Sequence, residues 1–179
     1  MNGDTHEYYG KYRGVVINNI DPEQRGRIQV EVSDVPTLFP PTWAMPCLPV
    51  GGIQAGIFTV PPIGAGVWVE FEQGDPDYPI WVGCYWGSAA ETPSLASLTI
   101  PPFFGITMQT TLANAIILND VPGPKGGIIL QSTTGASITV NDTGIYIDNG
   151  LGASILLVGP AITIDGTPVT VNKGALEVI

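Results

Sequence analysis

Four carboxylates crowd one short stretch of this chain: Glu70, Glu72, Asp75 and Asp77. Glu70 and Glu72 share one side of a strand-like run, and the two aspartates follow in a Gly-Asp-Pro-Asp turn. Paired carboxylates can divide acid and base work at a glycosidic bond, and clustered carboxylate oxygens can hold calcium. The plainer reading is a solvated strand face and an Asp-Pro turn, because alternation and turn chemistry already account for all four positions. Asp148 and Asp165 recur at matching places and could line an ion ladder, although Asp also simply turns a chain at corners. Trp43, Trp68, Trp81 and Trp86 could form a sugar platform; the rival reading packs an outward Trp68 at a subunit contact, where aromatics are enriched. Cys47 and Cys84 lie in apolar segments and read as a pair of buried thiols rather than a disulfide. There is no Gly-x-Ser-x-Gly elbow, Gly-rich phosphate loop or Cys-x-x-Cys pair. The residue types therefore supply no catalytic or metal site, and none is expected.

Composition narrows the field further. The 179 residues allow one large or two small domains. With 23 Gly, 17 Pro and few helix formers, the chain reads as all-β with many turns. Only 12% of residues are charged, about half the usual share, which points to surface buried in an assembly. The net charge is −10, and no Lys or Arg occurs between Arg27 and Lys125. Phosphate binding needs clustered basic groups, so nucleic acid is not expected as a partner. The first residues, MNGDTHEYYGKYRG, lack the apolar core of a signal peptide, and no run of about 18 apolar residues could span a membrane. Folding in a cytoplasm is the resulting expectation.

Several elements must position these residues. Residues 1–10 read as a flexible lead-in. From Arg13 the text becomes strand-like. Ile28, Val30 and Val32 alternate with Arg27, Gln29 and Glu31. Val67, Val69 and Phe71 alternate with Trp68, Glu70 and Glu72, and Pro79–Trp86 supplies a partner strand. Short strands fit around Trp43-Ala-Met and Gly56-Ile-Phe-Thr. Five strands in about 80 residues suit a small closed barrel such as an OB-fold, placed at 11–87. Residues 88–102 read as a linker.

Beyond the linker, tryptophan disappears and the chain repeats itself. Gly127-Ile-Ile-Leu, Gly144-Ile-Tyr-Ile and Ala161-Ile-Thr-Ile start 17 residues apart, twice over. A fixed period signals a solenoid-like shaft, placed at 103–179. Ile138/Val140, Ile145/Ile147, Ile155/Leu157, Ile162/Ile164 and Val169/Val171 each put two apolar side chains on one strand face and form the expected shaft core. The last pair, Leu176/Val178, follows at 14 residues, as if the final coil were shortened. A lone chain has about three coils, the bare minimum for a stacked β-helix. Three intertwined chains bury far more, so a homotrimer is expected.

The first half resembles a known family. Gly14-Val-Val-Ile-Asn-Asn-Ile-Asp-Pro-Glu-Gln-Arg-Gly-Arg-Ile-Gln-Val30, and the segment Pro62 to Gly83 with its Gly-Val-Trp-Val-Glu-Phe and Gly-Asp-Pro signatures, resemble the OB domain of the phage baseplate assembly protein V and tail-spike family. The spike part of type VI secretion valine-glycine repeat proteins shares that domain. The resemblance implies an N-terminal OB-fold barrel followed by an intertwined trimeric β-helix. It implies a structural, non-enzymatic central spike of a contractile injection machine, in a phage tail or tailocin baseplate, that connects hub to tip and punctures the target envelope mechanically. Some relatives carry a lysozyme domain between barrel and helix; about 15 linker residues stand there here. Others hold iron at the tip through His-x-His, but the one histidine is His6. The chain starts close to the barrel, so a separate hub protein is expected. Its apolar end, with Leu176, Val178 and Ile179, suggests docking of a separate PAAR-repeat tip protein. Two rivals stand beside this reading: a trimeric carbohydrate-binding or adhesin-like protein that uses the barrel, and a cell-wall hydrolase using Glu70 and Glu72.

Overall fold

The computed structural model describes residues 7–35, 41–171 and 176–178. It is all-β apart from three short 3-10 turns among the described residues, and it divides into two compact units, Met1–Glu91 and Thr92–Ile179.

In the first unit five strands close a barrel. They are β1 (Tyr12–Asn18), β2 (Ile28–Glu31), β3 (Trp43–Pro46), β6 (Gly66–Phe71) and β7 (Pro79–Tyr85), in the order β1-β2-β3-β7-β6. All neighbours are antiparallel except β3 and β7, which run parallel and close the ring. A minimal hairpin, β4 (Gly51–Gly52) and β5 (Ala55–Gly56), stands between β3 and β6. The alternation expected from the sequence is what fills the barrel. Ile28, Val30, Val32, Val67, Val69 and Phe71 are all buried, together with Val16, Ala44 and Trp81. Where β6 meets β7 the register slips by one, so that Trp68 opposes Gly83 while Val69 opposes Trp81. Such a bulge re-aims side chains: Trp81 turns into the core and donates its Nε1–H to the carbonyl of Gly26 at 3.1 Å.

Three expectations are corrected here. Tyr8 falls within the lead-in placed at 1–10, yet it is buried in the barrel core, edge-on to Tyr12 and beside Phe71, and its N–H is held by the Gly74 carbonyl at 2.8 Å. Cys47 and Cys84 are exposed rather than buried. Cys47 follows the last residue of β3 and Cys84 precedes the last residue of β7, so neither lies in the stretch that fills the barrel. The strand placed at Gly56-Ile-Phe-Thr shrinks to the two residues of β5; Ile57 and Phe58 follow it as exposed loop.

The second unit is a seven-stranded antiparallel meander: β8 (Gly105–Gln109), β9 (Ala115–Asn119), β10 (Gly127–Gln131), β11 (Ser137–Asn141), β12 (Gly144–Asp148), β13 (Ser154–Val158) and β14 (Ala161–Asp165). Each strand pairs with its sequence neighbours. The 17-residue period is therefore a two-strand unit, one hairpin long, and not a coil. The strand-opening glycines of the repeat have a steric cause. A Cβ on Gly127 would strike the Val140 carbonyl oxygen, and one on Gly144 the Leu157 carbonyl oxygen. The stretch read as linker does more than connect. Its 3-10 turn Ser94–Leu98 lays Leu95 and Leu98 on Ala115, Ile117 and Ile129, covering one face of the sheet at β8–β10. Asn119 anchors the same corner, its amide donating to the Leu98 carbonyl at 3.0 Å while its oxygen accepts the N–H of Val121. The apparent shortening of the last coil also has a different origin. β15 (Val169–Val171) and β16 (Leu176–Val178) pair with each other as a separate two-stranded sheet, with Val169 opposite Val178 and Val171 opposite Leu176.

Candidate functional site

Each strand of the meander is five residues long with apolar residues at its second and fourth places, which alternation sends to one face. The register sets these residues directly opposite one another. One column runs Ile106, Leu118, Ile128, Val140, Ile145, Leu157, Ile162. The other runs Met108, Ile116, Leu130, Ile138, Ile147, Ile155, Ile164. No polar residue interrupts either column. In the single chain all of these side chains are exposed, from 37% at Leu157 to 70% at Ile162. Completing their burial would contribute on the order of 1 kcal/mol each. An apolar face this continuous marks an interaction surface.

Eight of the ten expected shaft-core residues, Ile138, Val140, Ile145, Ile147, Ile155, Leu157, Ile162 and Ile164, stand in these two columns. Val169 and Val171 do not; they belong to β15, off the meander. Leu176 and Val178 lie on β16, while Ile179 lies outside the described residues. Sequence reasoning missed Ile106, Met108, Ile116, Leu118, Ile128 and Leu130. The same spacing marks them; the first four lie before the 17-residue repeat begins at Gly127, whereas Ile128 and Leu130 stand inside its first unit and were not counted in the shaft core.

The turns between strands are held by side-chain acceptors. Asp148 accepts the N–H of Gly150 at 2.5 Å, and Asn149 accepts those of Leu151 and Ala153. Asn141 accepts from the N–H groups of Thr143 and Gly144. Asp148 stands opposite Ser137 and Ser154, and Asp165 opposite Ser154. Ser154 thus separates the two carboxylates along that edge, which is no ladder of anions.

On the barrel the four tryptophans part ways. Trp81 is core. Trp43 stacks against the Arg27 guanidinium at 5.4 Å. Trp68 tilts against Tyr85 at 5.1 Å, and Arg13 lies over both rings. Trp86 is exposed just past the end of β7. The four carboxylates also part. Glu70 pairs with Lys11 at 2.6 Å, Asp75 accepts the N–H of Asp77 in the turn, and Glu72 and Asp75 border a shallow recess of about 200 Å³ with Gln73 and Tyr78. Among the described residues no group of three or more His, Cys, Asp and Glu is placed to hold a metal ion. No helix among them is long and apolar enough to cross a membrane.

The most elaborate polar site is the β1–β2 turn. Asp21 accepts the backbone N–H groups of Glu23, Arg25 and Arg27 and takes the Arg27 guanidinium at 2.7 Å. The Arg27 side chain holds the Asp21 carboxyl far below the usual carboxylate range, assisted by the three N–H donors. Gln24 and Gly26 take positive φ there, at 54° and 77°. The Asp-Pro and Gly-Arg signatures in the sequence are thus one structural device that ties β1 to β2.

A small closed barrel, joined in one chain to a sheet whose entire apolar face awaits partners, defines a two-part protein that completes itself by self-association. Residues 12–86 match the type VI secretion system/phage-baseplate injector OB domain, and residues 105–177 match the phage baseplate V C-terminal trimerisation domain. The chain belongs to the phage baseplate assembly protein V family, as a homotrimeric spike component of the baseplate. No curated protein matches it.

Proposed function

We propose that three copies form the central spike of a contractile injection machine, connecting the hub to the tip and puncturing the target envelope by mechanical force. The observation that carries this reading is the pair of unbroken apolar columns, seven strands deep. Three such faces packed together give a dry, fully apolar interior, and a sheet whose strands are already paired within each chain resists bending and unravelling. The spike acts without catalysis. Glu70, one of the two carboxylates of the rival hydrolase reading, is engaged by Lys11, and the Asp75 side chain serves the turn. A separate hub protein and a PAAR-repeat tip protein are the partners, with Leu176, Val178 and Ile179 as the tip-docking end and Trp68 at a collar contact. Support for those partners comes from family membership alone. The particle assembles in the bacterial cytoplasm.

The test has two arms. Light scattering on the purified chain reads the mass, and three times 18.8 kDa is expected. Particles carrying the doubly charged shaft variant Ile147→Asp/Ile155→Asp are then scored for baseplate assembly and for killing of target cells. A monomeric wild-type chain, or full killing by particles with the disrupted shaft, would sink the reading.

A further inference from the structure

The β4–β5 hairpin takes no part in closing the barrel. Its strand residues, Gly51, Gly52, Ala55 and Gly56, carry almost no side chain, so the hairpin is thin. Its turn presents Ile53 at 99% exposure, with Gln54 in the left-handed region at φ 56°. At its base Leu48, Val50, Ile57 and Phe58 border, together with Arg25, an open recess of about 430 Å³. An isoleucine on a narrow stalk is a knob, and an apolar recess on the same chain is a hole. Charge points the same way. From Val35 to Val69 there is no Asp, Glu, Lys, Arg or His, in a chain of net charge −10. Acidic copies repel elsewhere, and this neutral stretch is where their close approach costs least. A threefold assembly uses heterologous contacts, in which one patch meets a different patch on the neighbour and the ring closes after three. A knob and a hole close together on one chain meet that requirement.

We propose that Ile53 of each copy seats in the Leu48/Val50/Phe58 recess of the next, so that three hairpins close an apolar ring about the threefold axis. This rests on the trimer and adds a second contact to the one made by the sheet. The test uses full-length chains in a Cys47→Ser/Cys84→Ser background, with trimer mass verified first; a monomer there would count against the trimer itself. Chains bearing Ile53→Cys are co-expressed with chains bearing Leu48→Cys and mildly oxidised. A disulfide-linked pair of unlike chains is expected, and maleimide should label Ile53→Cys in the intact trimer at least about tenfold more slowly than in the urea-unfolded chain. Three outcomes overturn the proposal. One is an intact trimer in which Ile53→Cys labels as fast as in the unfolded chain. Another is linkage between like Ile53→Cys chains instead of unlike ones. The third is protection of Ile53→Cys that arises only when other baseplate proteins are added.

Discussion

Asp21 is the residue on which the barrel's first turn depends, and its charge is what matters. A free aspartate titrates near about 3.9, whereas Asp21 is held lower by Arg27 and three backbone donors. A carboxylate with a depressed folded pKa stabilises fully above its unfolded value and ceases to do so as pH falls toward the folded one. Wild type should therefore melt higher than Asp21→Asn at pH 7, and the gap should shrink below about pH 4. Thermal melts of both proteins from pH 2.5 to 7 measure this; a gap independent of pH would show that the charge is not the cause. Gly127 makes a second residue-scale case. Its φ of 95° and the Val140 carbonyl oxygen beside it leave no place for a Cβ. Gly127→Ala should cost roughly 1 to 3 kcal/mol in urea unfolding, while Gly135→Ala, whose Cβ would meet open space, carries only the cost of its own φ of 89°.

At the scale of the element, the seven-stranded sheet has a periodic inner face, and a single charge placed there interrupts it. Ile147 faces Ile138 and Ile155 across the strands. Ile147→Asp buries a carboxylate without a partner once three sheets meet, which should cost more than about 3 kcal/mol and shift sedimentation from trimer to smaller species. Thr139→Asp, on the opposite face of the same strand unit, should leave the trimer intact; equal loss in both would mean that the columns are not the contact. Much of this element was legible in the sequence, because apolar pairs at i and i+2 write the face directly. The strand pairing was not. A repeat of 17 residues is equally compatible with a coil or with a hairpin, and the choice depends on turns such as Asn141–Gly144 and Asp148–Ala153, which close two strands antiparallel through local acceptors. In the barrel, alternation located the core of β2 and β6. It could not foresee the bulge that buries Trp81, nor Tyr8 reaching the core from outside any strand. The 3-10 turn carrying Leu95 and Leu98 was hidden because two leucines among Ser, Ala and Pro show no periodicity.

For the whole molecule, acidity opposes assembly. Three chains, each of net charge −10, are brought together with only six basic residues apiece. Salt near 0.1 M screens such repulsion beyond about 10 Å, so the trimer should dissociate more readily at 10 mM than at 150 mM NaCl. Analytical ultracentrifugation over a dilution series reads this, and a trimer weakened by added salt would point to ion pairs as the glue instead. Solubility of the purified chain should be lowest near the sequence pI of 4.1, where its net charge vanishes. The pairing of every meander strand with its neighbour in sequence has one more consequence, for how the spike is made. Contacts between near neighbours form fast, hairpins in microseconds, so each chain can zip its sheet as it leaves the ribosome. Association of three chains, by contrast, is a collision process whose rate falls with dilution. Newly made sheets must spend that interval with their apolar face open to water, so a slower encounter leaves that face exposed for longer.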